Sequence, residues 1–213
     1  MKTNEERIQS LLSHLDGLSY IKPEEIPGIQ LYMDQVTTFM DEHLQSTKRY
    51  PEDKVLTKTM INNYAKNNLL PPPVKKKYSK EHMLMLIFIY YFKNLLSFND
   101  IEQLFKPVLE HHFAADSGLS LEDIYREVFS LENSQMTRLK EDVAAKLQAA
   151  ESTFQDTENA FPDNEEGKKQ QEYLRLFAFI CELSFDVYLK KQMIEMLADQ
   201  LRSEEPPADK HRK

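Results

Sequence analysis

The chain has 213 residues, of which 41% are hydrophobic, and a net charge of −8; that is ample for a buried core and excludes disorder throughout. Glycine is scarce (4 residues), tryptophan is absent, and Leu, Met, Glu, Lys, Gln and Ala outnumber β-branched residues, so composition favours helices over sheets, barrels and nucleotide-binding α/β folds. The charge is uneven: from Lys48 to Lys80 nine basic residues face two acidic ones, a local +7, whereas the rest carries −15, so a segment suited to a polyanion lies inside an acidic protein.

In chain order, Thr3 and Glu6 form a capping box, and Ile8, Leu11, Leu12 and Leu15 an apolar stripe, which together predict a helix over 3–15. This start lacks the apolar core of an export signal. The break "DGLSYIKPEEIPG" follows, then a second helix over Asp34 to Leu44 with Val36, Phe39, Met40 and Leu44 inward. After a polar loop from Gln45 to Lys54, a third helix is predicted from Thr57 to about Asn67 and Asn68, where Asn supplies a left-handed cap.

Pro71 to Pro73 cannot continue a helix, so the chain turns extended there. Ser79 is the N-cap of an apolar helix over about Lys80 to Leu96; its longest apolar run, Met83 to Phe92, is ten residues, short of the roughly 18 of a membrane span. Ser97 with Asp100 caps the next helix, which Pro107 is expected to stop, and Ser120 with Asp123 caps another. Longer helical patterns over about Ser134 to Ala150 and Lys168 to Leu201 flank a polar break at 155–167, and the tail from Arg202 is expected to fray. A soft boundary at 110–118 divides the chain into 1–110 and 111–205, although the same stretch serves equally as a loop inside one domain.

The functional signal lies in the third helix. Winding at about 100° per residue gathers Leu56, Met60, Ile61 and Tyr64 in one apolar sector and sets Lys58, Thr59, Asn62 and Lys66 opposite. Lys and Asn are residue types that meet phosphates and base edges, and Thr57 with Lys58 stands at the helix N-terminus that a recognition helix presents. The same face also reads as an ordinary solvated helix surface. The proline-stiffened loop favours the first reading, because it brings Lys75, Lys76 and Lys77 back beside the helix as backbone contacts, with Lys80 at the start of the next helix. Tyr78 reads as the packing anchor of that loop.

No enzyme constellation, cofactor motif or metal site emerges. His111 and His112 are adjacent, without the i, i+4 spacing of a zinc helix, and His14, His43 and His82 are isolated. Cys181 reads as a buried thiol, and a cytoplasmic, non-membrane protein is expected. Tyr173 to Leu189 is apolar around too much of its circumference for a surface helix, so it is either the centre of a C-terminal bundle or a subunit interface. Its aromatics read as core or as the lining of a pocket for an unknown small-molecule or protein effector.

Residues 56–105, "LTKTMINNYAKNNLLPPPVKKKYSKEHMLMLIFIYYFKNLLSFNDIEQLF", resemble the DNA-binding domain of the MerR family of transcription regulators. Thr57 holds the cap place, Asn63 and Tyr64 that of the paired aromatics, Asn68 that of the glycine, with Leu69, Leu70 and Pro71 following. Tyr78 and Ser79 hold the post-wing signal, and Phe98, Asp100 and Ile101 fall in the short helix after it. Over about residues 26–110 the chain is similar to the bacterial domain-of-unknown-function family numbered 1836, through "IPGIQLYMDQVTTFMDEHL" and the segment from Leu56 to Asn94. These resemblances imply an all-α fold, a MerR-like (winged) helix-turn-helix domain followed by a C-terminal helical bundle. They also imply a DNA-binding transcriptional regulator that meets double-stranded DNA as a homodimer. The competing expectation is a non-enzymatic helical protein-interaction module that keeps the fold without binding DNA.

Overall fold

The computed structural model describes residues 3–114, 118–155 and 161–204. Residues 115–117 of the expected boundary, 156–160 of the polar break and 205–213 of the expected frayed tail lie outside them. The elements are α1 (Asn4–Asp16), β1 (Leu31–Tyr32), α2 (Met33–His43), α3 (Lys58–Lys66), β2 (Lys77–Tyr78), α4 (Lys80–Phe92), α5 (Phe98–His112), α6 (Leu121–Ser130), α7 (Glu132–Glu151) and α8 (Glu165–Glu204), with short 3-10 turns at Pro23–Glu25 and Gln45–Thr47. The chain is mostly helical, as its composition predicts.

The capping residues start helices where the sequence expects them. Glu6 N–H donates to the Thr3 hydroxyl (3.2 Å) while the Glu6 carboxylate accepts from Thr3 N–H (2.9 Å). Ser97 with Asp100, and Ser120 with Asp123, repeat this reciprocal pattern at α5 and α6. Each box satisfies two backbone donors that a helix start otherwise leaves open.

Two compact units divide the chain, parting at Ser19/Tyr20, Ser130/Leu131 and Gln192/Met193. In one, α1 joins α7 and the first part of α8. Ile8, Val143, Ala150 and Phe179 are buried together there, with Leu12, Leu147, Leu176 and Leu183 packed against them. Asn4 donates to the Glu172 carbonyl (3.1 Å) and Lys140 pairs with Asp16, tying both ends of α1 to this unit.

The other unit runs from Tyr20 to Ser130 and takes in the end of α8. Its centre is α4, in which every residue from His82 to Ile89 is buried; packed interior on all sides is what an unbroken apolar run requires. Phe88, Tyr125 and Phe129 pack ring to ring beside it, and the Tyr125 hydroxyl donates to the Ile21 carbonyl (2.6 Å), fastening α6 to the segment before β1. The strands pair antiparallel, Leu31 opposite Tyr78 and Tyr32 opposite Lys77.

Two expected boundaries differ. α4 ends at Phe92, where Leu95 and Leu96 N–H both turn back to its carbonyl. Pro107 does not stop α5, which continues to His112. A proline inside a helix forfeits one backbone bond and crowds the preceding turn at a cost of about 3 kcal/mol. Val108, Leu109 and Phe113 beyond it pack against the core of the unit, and their burial offsets that loss.

Candidate nucleic-acid interface

α3 owes its start to Thr57, whose hydroxyl accepts from Met60 N–H (3.2 Å). Ile61 and Tyr64 are buried and Met60 is half-buried, while Lys58, Thr59, Asn62 and Lys66 are exposed together, as the helical projection predicts. The helix stops in the expected way: Asn68 is left-handed (φ 59°), and Leu69 N–H reaches back to the Tyr64 carbonyl (2.9 Å), a closure that uses an otherwise open carbonyl.

The chain then runs through the three prolines to β2. Val74 bridges to Lys77, whose N–H donates to the Val74 carbonyl (3.0 Å), and the two residues between, Lys75 and Lys76, are left-handed (φ 50° and 64°). Two successive positive φ values define a type I′ hairpin turn, which ordinarily takes Asn-Gly. Lysine at both places costs backbone strain, and the outcome is a tip from which both side chains stand exposed. Lys77 is half-buried, its amine 5.4 Å over the Tyr32 ring, so the strand pairing supports it. Tyr78 is buried, the anchor that its position suggested, and burial pushes its phenol up.

The remaining lysines differ in their partners. Lys58 pairs with Asp34 of α2, both side chains being largely exposed; such surface pairs hold weakly and exchange with other anions. Lys80 is half-buried and pairs with Glu122 (2.7 Å), which also receives Arg126 (2.7 Å). The Lys80 ammonium, and after it the Arg126 guanidinium, hold the Glu122 carboxyl below its usual pKa against its partial desolvation. Among the described residues no carboxylate pairs with Lys66, Lys75 or Lys76. Lys80 is therefore committed to the fold, whereas Lys58, Thr59, Asn62, Lys66, Lys75 and Lys76 are presented to solvent.

One residue of the site escapes a reading by motif. His82, the buried polar residue of the core (4% exposed), sits in the first turn of α4 with its Nδ1 accepting from Ser79 N–H (3.1 Å). Its ring lies edge-on to Tyr78 and Phe113. Burial pushes its pKa down, opposed by the carbonyls of Pro72 and Pro71. His82 thus holds the root of the Lys75–Lys76 hairpin from inside. The signal available was the Ser79-x-x-His82 spacing, in which His takes the place of the usual Glu or Gln of a capping box. β1 was missed because two residues are too short for a strand period.

No helix among the described residues is long and apolar enough to cross a membrane, and no cluster of three His, Cys, Asp or Glu side chains suited to a metal ion occurs among them. No curated protein and no solved structure matches the chain. One family model does, over residues 21–128, a span that covers β1, β2, every helix from α2 to α5 and most of α6. The chain belongs to the family described as Domain of unknown function (DUF1836).

Proposed function

We propose that this protein is a non-enzymatic, DNA-binding transcriptional regulator of the MerR-like winged helix-turn-helix type. The observation that carries the reading is the pairing of β1, which leads directly into α2, with β2 of the wing. That pairing ties the lysine-tipped hairpin to the same α2–α3 pair that exposes Lys58, Thr59, Asn62 and Lys66. In this reading α3 enters the major groove and the wing tip rests on the backbone, phosphate contacts positioning the protein while base contacts specify sequence. Strain retained at Lys75 and Lys76 is consistent with a functional position rather than one selected for stability.

Duplex DNA has two half-sites to offer a two-fold protein. α8 supplies a surface for a homodimer: Tyr173, Phe177, Ile180 and Tyr188 are exposed along one side, with Phe185 and Leu189 exposed on another. Apolar exposure of this extent marks an interaction face. The alternative, a protein-interaction module without DNA binding, draws on the ion pairs Lys58–Asp34 and Lys80–Glu122, which engage two of the six candidate lysines with carboxylates of the chain itself.

Fluorescence anisotropy on mixed duplexes from about 50 to 200 mM salt tests the choice. Binding whose log K falls by about 0.9 per phosphate contact per log unit of salt supports the regulator. Absence of binding at micromolar protein in low salt returns the protein to the interaction-module reading.

A further inference from the structure

Behind the exposed face of α3, the turn that joins α4 to α5 closes a cleft of about 290 Å³ within the same unit. Met60, Tyr64, Phe98 and Ile101 form its apolar wall, and Asn63 and Lys93 are among its polar lining residues. The volume is at the lower edge of ligand pockets, so the occupant is small.

Two observations define its chemistry. Phe98 is an aromatic residue left 50% exposed, its ring 5.9 Å from that of Tyr64; a molecule lying in the cleft has an apolar surface to cover. Lys93 is half-buried, donates to the Val55 carbonyl (2.8 Å) and stands 4.7 Å over the Tyr90 ring, and no carboxylate pairs with it among the described residues. An ammonium has three donors and Val55 takes one. Burial pushes the Lys93 amine down in pKa with no opposing carboxylate, as expected of a cation whose compensation comes only from dipoles and a π face.

We propose that this cleft binds a small apolar monocarboxylate, its anionic end toward Lys93 and Asn63 and its hydrocarbon body against Tyr64 and Phe98. A dication or a neutral sugar does not fit, the first because no carboxylate lines the cleft while Lys93 does, the second because the wall is mainly apolar. Met60, Asn63 and Tyr64 belong to α3, so the ligand touches the helix assigned to base reading. The binding itself stands whether or not α3 meets DNA.

Methyl NMR spectra of the full chain, titrated with benzoate and, as the neutral control, benzamide, provide the test. Benzoate is expected to move the Met60 and Ile101 methyl resonances with a Kd on the order of 1 mM, and benzamide to bind about tenfold more weakly. Lys93→Met is expected to bring benzoate down to the level of benzamide. Phe98→Ala, at a half-exposed site, is expected to weaken both probes alike while thermal unfolding stays near that of the parent. Unmoved methyls at about 20 mM benzoate, equal shifts with both probes, or full benzoate binding by Lys93→Met each overturn the proposal. Where Lys93→Met does not fold, the benzoate-to-benzamide ratio of the parent chain decides. Failure of DNA binding leaves all these outcomes unchanged.

Discussion

α4 and α8 both carry apolar residues around most of their circumference, yet α4 buries its whole middle whereas α8 leaves Tyr173, Phe177, Ile180, Phe185, Tyr188 and Leu189 open. A helix of the first kind is covered by its own chain: α6 packs on it, and Leu69, Leu70, Ile101 and Phe105 belong to the same buried cluster. A helix of the second kind is covered only in places, around Phe179 in its first part and at Ile194 and Ala198 near its end, and has apolar surface left over. Of the two expectations for α8, the centre of a C-terminal bundle or a subunit interface, the packing with α1 and α7 among the described residues leaves this apolar surface uncovered, and the subunit-interface reading is the one proposed for it. Uniform apolarity therefore announces cover on more than one side without saying which molecule supplies it.

The largest expected effect comes from attacking the covered helix. Leu86, wholly buried in α4, is expected to cost about 2–5 kcal/mol on replacement by Ala, because a cavity in a close-packed interior adds to the lost transfer energy. Urea denaturation of the two proteins checks this. A loss under about 1 kcal/mol would indicate a loosely packed α4 and break the contrast.

The first turn of the same helix is expected to make stability pH-dependent. The His82 pKa is lowered by burial, so between the folded value and about 6.5 the unfolded chain binds the proton that the folded one refuses. Stability is then fully present above about pH 6.5 and falls as pH drops below it, with a slope approaching about 1.4 kcal/mol per unit. His82→Gln keeps an acceptor for Ser79 N–H and removes the titration. Denaturation midpoints from pH 7.5 downward should lose the His82 share of their slope in this variant; an unchanged slope assigns it to other groups.

At the Lys75–Lys76 turn the order of priorities reverses, since side chains there are presented rather than packed. Replacing Lys75 by Asn and Lys76 by Gly suits both left-handed positions and is expected to raise stability by about 1 kcal/mol. The same change is expected to weaken every duplex to a similar extent and lower the salt slope by about 2. Thermal unfolding and anisotropy on one preparation separate the two effects. Greater stability with unaltered duplex affinity removes the tip from the DNA contact.

The smallest effect on the isolated chain is expected at α8. Leu189, 60% exposed, should change monomer stability by no more than about 0.5 kcal/mol as Ala. With Glu at both Phe185 and Leu189, sedimentation equilibrium should pass from twice 25.1 kDa to 25.1 kDa. A parent chain that is already monomeric at tens of micromolar removes the interface and leaves the exposed stripe to a different partner.

Much of this molecule was legible because it rests on short-range chemistry. Reciprocal Ser/Thr and Asp/Glu bonds three residues apart start α1, α5 and α6, the 3.6-residue period puts Ile61 and Tyr64 inward, and Asn68 accepts a left-handed backbone. The exposed face of α3 follows from the same period. The charged partners were not legible: Lys58 and Asp34 are 24 residues apart in the numbering, and Lys80 and Glu122 are 42 apart, with no local pattern joining either pair.

By itself the sequence determined the helical class, most helix starts, the buried run of α4 and the inward side of α3, since each depends on bonds or periodicities within a few residues. Only the tertiary structure decided that α5 continues through Pro107, that α1 packs with α7 and α8, and that β1 pairs with β2. It also decided that Lys80 is held by Glu122, while Lys75 and Lys76 pair with no carboxylate among the described residues. The physical reason is common to all of these: a local preference of a few kcal/mol or less yields to burial and ion pairing supplied by distant segments, whose positions no local window contains.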